Sequence, residues 1–234
     1  LGSKSRTLVM AEDENNKDAS IRHLHGGPML YPDERATAIV ARHFSPREKN
    51  AGKRALDVGC GGGRHLKLLL DFGFDTYGLD YIEEACVEAR SLFESAPGFR
   101  EVRQADLRNS GFEEGSFDLI LAWGVVFLRP LDELRADLLI LRKLLKPGGV
   151  LAATFRTKAN WFYGLGEPVS PHTFRLDDRA KDYRDMIFTF LDLPEVETAL
   201  QEAGLGITTW EKVELTKGNG KELNSWLMIA AKPL

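Results

Sequence analysis

The stretch Ala55-Leu56-Asp57-Val58-Gly59-Cys60-Gly61-Gly62-Gly63-Arg64-His65 constrains the fold more than any other part of the chain. A short apolar run ends in an acid and a valine, a glycine-rich turn follows, and His65 to Leu70 reads as a leucine-rich helix. About one helix length later a second apolar run, Thr76-Tyr77-Gly78-Leu79, ends in Asp80. A parallel strand buried on both faces is apolar without alternation. Glycines at a turn let the backbone take left-handed angles and approach a ligand closely. The helix start after such a turn presents free N–H groups and a partial positive charge, which suit an anion. Strand, glycine loop, helix, strand and acid in this order describe a nucleotide-binding βαβ unit, with Asp80 placed to accept the hydroxyl hydrogens of a ribose.

The glycine spacing separates this unit from the dinucleotide fingerprint GxGxxG. Here it is Asp57-x-Gly59-x-Gly61-x-Gly63, which resembles motif I of the class I S-adenosylmethionine-dependent methyltransferases. Gln104-Ala105-Asp106-Leu107, Ser116-Phe117-Asp118-Leu119-Ile120 and Leu144-Leu145-Lys146-Pro147-Gly148-Gly149 follow in that family's order. Each motif is weak alone; the ordered set is specific, and it covers Lys53 to Phe155 best. The resemblance implies an α/β fold: a doubly wound, mostly parallel, seven-stranded Rossmann-like sheet with a C-terminal antiparallel hairpin. It implies S-adenosyl-L-methionine as cofactor and S-adenosyl-L-homocysteine as product. The residues it assigns to the cofactor are Asp57, Gly59, Cys60, Gly61, Gly63 and Arg64 in and around the loop, Asp80 and Tyr81 after the second strand, Asp106 and Leu107 at the adenine, and Ala122 and Trp123 beside the methionine part. Arg64 would pair with the methionyl carboxylate. Trp123 is open to two readings, a π-face for the sulfonium or a core aromatic. The Asn/Asp-Pro-Pro-Tyr tetrapeptide of the branch that modifies amides and adenine is absent after the fourth strand. The Gly-Arg-His run, with Phe72-Gly73-Phe74 downstream, is similar to the bacterial branch acting on small molecules.

The 234 residues suit one α/β domain with additions. Residues 1–20 are polar and charged and predict a mobile tail; residues 21–50 form an N-terminal cap with a helix from Pro32 to about Phe44, 53–155 the cofactor-binding core, 156–185 an insertion placed to cover the acceptor, and 186–234 the sheet closure. No apolar stretch approaches the roughly 20 residues of a spanning helix, and no leader is expected from the N-terminus. A net charge of −4 argues against a broad nucleic-acid surface. Cys60 and Cys86 lack metal-ligand spacing, so no metal is expected, and they fit a reduced, cytoplasmic setting.

Methyl transfer is an in-line displacement in which the protein supplies positioning and exclusion of water. A hydroxyl or amine acceptor on a small molecule can need a general base. His172 and His25 are the candidates, with Tyr31 and Tyr163 lining the acceptor pocket. Two rival readings stand beside this one: a nicotinamide-dependent oxidoreductase, and a non-catalytic protein that keeps the fold to bind the cofactor.

Overall fold

The computed structural model describes residues 31–234, so the expected tail and the segment carrying His23 and His25 lie outside the described residues. The first helix, α1 (Glu34–Phe44), starts where the Asp33 carboxylate accepts the N–H groups of Arg35 and Ala36, at 2.8 and 3.2 Å. This cap places the start two residues after Pro32, and the buried stripe is Ala36, Ile39, Val40 and Phe44. There follow β1 (Arg54–Val58), α2 (Arg64–Asp71), β2 (Asp75–Asp80), α3 (Glu83–Phe93), β3 (Phe99–Gln104), β4 (Phe117–Ala122), α4 (Leu131–Leu144) and β5 (Leu145–Arg156).

Seven strands form one sheet in the order β3-β2-β1-β4-β5-β10-β9. The first five are parallel, and β10 (Glu222–Pro233) enters antiparallel between β5 and β9 (Leu205–Lys217). This is the doubly wound sheet and terminal hairpin expected from the sequence. Strand β4 shows why its sequence is apolar apart from Asp118. Phe117, Ile120 and Ala122 face a core with the α4 leucines and Val196 and Leu200 of α5 (Leu193–Glu202). Leu119, Leu121 and Trp123 face the opposite core, with α1 and with Leu68 and Leu69 of α2. Both faces are covered from Leu119 onward, so this run is apolar, and the strand's one acid, Asp118, lies near its start.

The Lys-Pro-Gly-Gly turn is absorbed into β5. Its partner register jumps from Phe117–Leu145 to Leu119–Val150, so Lys146 to Gly149 bulge out opposite Asp118. Asp118 there accepts from Lys146 Nζ at 2.6 Å and from the Arg54 N–H at 2.8 Å.

The insertion after β5 is more regular than its mixed sequence suggests. Strands β6 (Glu167–Ser170), β7 (Thr173–Arg175) and β8 (Ile187–Thr189) form a small antiparallel sheet, so the cap recruits residues beyond 185. Its core is aromatic: Phe127, Phe162, Phe188 and Phe190 pack with Leu176 and Met186. Arg156 is buried among them, its guanidinium 4.7 Å from the Phe188 ring centre, 5.0 Å from Phe127 and 5.2 Å from Phe162. The insertion leaves and rejoins the main sheet at one point, because Arg156 bridges Phe190 and the Leu191 N–H donates to the Arg156 carbonyl at 2.8 Å.

Candidate cofactor site

The glycine loop is folded over the end of β2. The N–H groups of Gly59 and Cys60 both donate to the Leu79 carbonyl, at 2.7 and 3.1 Å. Gly59 has φ +68°, and a Cβ there would lie 2.9 Å from Cγ2 of Val125. Gly63, at φ +94°, would place a Cβ 2.6 Å from the Phe93 ring. These two positions require glycine both for backbone angle and for space. Cys60 is buried in a small cluster with Leu66, Cys86 and Val102, so it serves packing and leaves its backbone to the loop.

Asp80 closes the loop from below. Its Oδ2 accepts the Gly61 N–H and its Oδ1 the Ile82 N–H, both at 2.9 Å. Burial raises its carboxyl above the usual range, and these N–H groups oppose that rise. The Tyr81 N–H opposes it as well, and of the roughly four acceptor lobes of a carboxylate one is left for a ribose hydroxyl. Tyr81 follows directly, half-buried.

Asp57 is 1 % exposed, and its Oδ2 has no hydrogen-bond partner. Burial pushes its carboxyl up to about 8; Arg64 opposes the shift and Asp80 adds to it. An orphaned carboxyl oxygen near a guanidinium has the chemistry to receive an amino-acid head group, an ammonium at Asp57 and a carboxylate at Arg64. Arg64 itself is lowered by burial and held up by Asp57 and Asp33.

At the other end Asp106 caps a 3₁₀ turn, Leu107–Asn109, accepting the Arg108 N–H at 2.9 Å, while its Oδ2 pairs with Arg129. Burial alone would raise its carboxyl, but the Arg108 N–H and the Arg129 guanidinium hold it below the ordinary value. Leu107 and Ala122 are buried at the strand ends. Trp123 is buried under α1, edge-on to His65 at 6.4 Å between ring centres, in the position of a core aromatic.

His172 sits at the β6–β7 turn with φ +57°. Its Nδ1 meets the Tyr163 hydroxyl at 3.1 Å and its Nε2 faces Glu195 at 3.2 Å; Lys158 holds the same carboxylate at 2.6 Å. Tyr31 is 82 % exposed, and His25 lies outside the described residues. The sequence did not single out the Arg129–Asp137 pair, 2.9 Å apart behind Asp106, and it named His65 only as part of the Gly-Arg-His run, whereas the structure buries it in the first turn of α2. Only for His65 was there a signal: a histidine inside a leucine-rich helix whose neighbours are core residues.

The family model of a methyltransferase domain matches residues 55–149, from the first strand through the bulge into β5. Residues 55–149 carry a methyltransferase domain. A ubiquinone biosynthesis O-methyltransferase from Roseobacter denitrificans is 31% identical over 140 residues, 59% of this chain and 55% of that protein, so the chain spans about half the length of this curated relative. Among solved structures, a methyltransferase from Methanosarcina mazei superposes with a TM-score of 0.69 at 21% identity, covering 88% of this chain and all of the other. The 1,6-didemethyltoxoflavin-N1-methyltransferase of Burkholderia thailandensis, solved with its namesake ligand and S-adenosylhomocysteine, gives 0.70 at 16% identity over 100% of this chain and 91% of its own. The [4+2]-cyclase SpnF gives 0.63 at 16% identity, with 94% of each chain covered. Likeness at this level establishes the fold, and the cyclase shows that the fold alone does not name a reaction. S-adenosylmethionine is the cofactor these similarities support, and the domain offers groups of matching chemistry: Asp57 and Arg64 could meet its amino-acid end, Asp80 its diol and Asp106 its base.

Proposed function

We propose that this protein transfers a methyl group from S-adenosylmethionine to an oxygen or nitrogen of a small molecule. The observation that carries the reading is the buried, unpartnered Oδ2 of Asp57 next to the glycine loop that Asp80 holds. A nicotinamide cofactor has no amino-acid head group to meet that oxygen. The curated relative named for O-methylation and the structural neighbour named for N1-methylation support both acceptor atoms.

Bound there, S-adenosylmethionine supplies a methyl group already activated on sulfonium. With it bound, an acceptor lone pair would take the methyl carbon as the carbon–sulfur bond broke, and the acceptor proton would pass to a base on the protein. Within the cap, His172 has the connections of such a base. Glu195 orients one ring nitrogen, and the other takes the Tyr163 hydroxyl, which leads the proton outward from the acceptor. The cap shields the reacting groups from water. With a net charge of −4 and both described cysteines free and buried, the setting is the cytoplasm and the acceptor a small molecule in place of a nucleic acid.

Calorimetric titration with S-adenosylhomocysteine tests the cofactor. Wild type should bind in the micromolar range, and Asp80→Ala should lose about tenfold or more. No binding by folded wild type overturns the reading. Methyl transfer into a panel of small hydroxyl and amine compounds then tests His172→Asn, which should lose about a hundredfold in turnover with cofactor affinity unchanged.

A further inference from the structure

The connection between β4 and α4 is held on both sides. Toward the cap, the Phe127 carbonyl accepts the Thr189 N–H at 2.8 Å, and the Phe127 ring packs edge-on against Phe188. The Arg129 carbonyl accepts the Thr189 hydroxyl at 2.6 Å. That hydroxyl is itself 2.7 Å from Thr173 Oγ1, its partner across β7 and β8, and both threonines are buried. Thr189 spends its one proton on Arg129, so the Thr173 hydroxyl, which also lies 3.2 Å from the Pro171 carbonyl, is the donor across the shorter contact to Thr189, giving a directed chain from the cap sheet to the loop.

Toward the cofactor site, the side chain of the same Arg129 ends on Asp106. Its Nη2 pairs with Asp106 Oδ2, its Nε with Asp137 Oδ2 at 2.9 Å, and its Nη1 with Glu133 at 3.4 Å. Asp137 is buried on α4, so it fixes the guanidinium from the core side. Planar, forked and permanently charged, the guanidinium can orient a carboxylate as an ammonium cannot. Asp106 then presents an ionised, acceptor-only group with its rotamer set by the Arg108 N–H on one oxygen and Arg129 on the other.

The geometry points to Arg129 as the positioning residue that couples the acceptor cap to adenine recognition: Thr189 sets its backbone, and its guanidinium sets the Asp106 oxygen that reads the exocyclic amine. This rests on the proposed cofactor. One residue thus belongs to two elements that different ligands would touch. Whatever shifts the cap changes the reading of the base, and by linkage a base held by Asp106 favours the cap position that suits Arg129.

The test separates amine reading from general binding. S-adenosylhomocysteine and S-inosylhomocysteine, which carries an oxygen in place of the amine, are titrated into the full chain as wild type, Arg129→Ala, Arg129→Lys and Thr189→Val, each checked for folding by circular dichroism. Wild type should prefer the adenine compound by about tenfold or more, the worth of a charge-assisted hydrogen bond. Arg129→Ala should lose most of that preference, Arg129→Lys should keep part of it, and Thr189→Val, which keeps the volume and removes the donor, should fall between wild type and Arg129→Ala. A wild-type preference that survives in both Arg129 variants overturns the inference while leaving the cofactor standing. Unchanged preference in Thr189→Val overturns the link to the cap. Failure of wild type to bind either compound overturns the cofactor reading and this inference with it.

Discussion

The backbone N–H of Asp33 donates to Nε2 of His65 across 3.3 Å, joining the cap residue of α1 to the first turn of α2. The bond needs a neutral imidazole. Burial, then the charge on Arg64, lowers the His65 pKa from the ordinary 6.5 to about 3. Below 6.5 the unfolded chain takes up a proton that the folded protein refuses. The stability from this group is therefore complete above pH 6.5 and is lost as pH falls from 6.5 toward 3. His65→Gln should flatten the unfolding free energy against pH in that window, measured by urea titration. An acid limb of unchanged slope in the variant would refute the assignment.

Asp57 carries the opposite slope. The folded protein keeps its proton up to about pH 8, while the unfolded chain releases it near 3.8, so this group costs stability increasingly as pH rises between those values. Asp57→Asn should raise the melting temperature of the cofactor-free protein at pH 8 and weaken S-adenosylhomocysteine about tenfold or more, because the amide cannot match an ammonium. In wild type the incoming ammonium favours the carboxylate. Binding at pH 7 should release about one proton, read from calorimetry in buffers of different ionisation enthalpy. Zero release counts against Asp57 as the ammonium receptor.

Two glycines separate backbone strain from steric clash. Gly115 has φ +63° with open space around a new Cβ, so Gly115→Ala should cost about 1 to 2 kcal/mol from the angle alone. Gly63→Ala adds a 2.6 Å approach to the Phe93 ring, at the start of α2. It should destabilise more than Gly115→Ala in denaturant titration and also lower cofactor affinity. Equal costs would mean that Phe93 moves aside freely.

Arg156 tests whether a buried charge holds the cap or only serves it. Its Nε and Nη1 have no hydrogen-bond partner, and burial lowers its pKa to about 10, with Tyr183 supplying the opposing hydrogen bond. Burying a charge costs several kcal/mol, whereas a desolvated cation–π contact returns about 2 kcal/mol. Arg156→Met should therefore leave stability unchanged or improve it, while Arg156→Ala should lose about 2 to 5 kcal/mol to the cavity. A Met variant that melts far below wild type would show that the ring contacts outweigh desolvation.

The cofactor core was legible because its constraints are local. A strand, four glycines in five residues and a helix lie within one short run, and the second acid follows at the distance that one helix imposes. The terminal hairpin showed through two strand-like runs, Ile207 to Leu215 and Trp226 to Ala231, joined by the polar turn Lys217-Gly218-Asn219-Gly220. The cap sheet did not show, because strands of three and four residues are too short to display alternation. Arg129 was silent for a different reason. It meets Asp106 across 23 residues and Thr189 across 60, and a lone arginine before a proline carries no pattern. Asp106 shows both layers: its place after β3 came from motif order, but its two fixed oxygens came only from packing.

The adjacency of Arg156 and Phe190 gives the insertion two neighbouring seams. A segment whose ends already touch adds little loop-closure entropy whatever its length. The cap can therefore lengthen, shorten or be exchanged without reordering the seven strands beneath it. If the insertion selects the acceptor, as proposed, then the Thr189–Arg129–Asp106 contact is the one joint that any exchange of it has to keep.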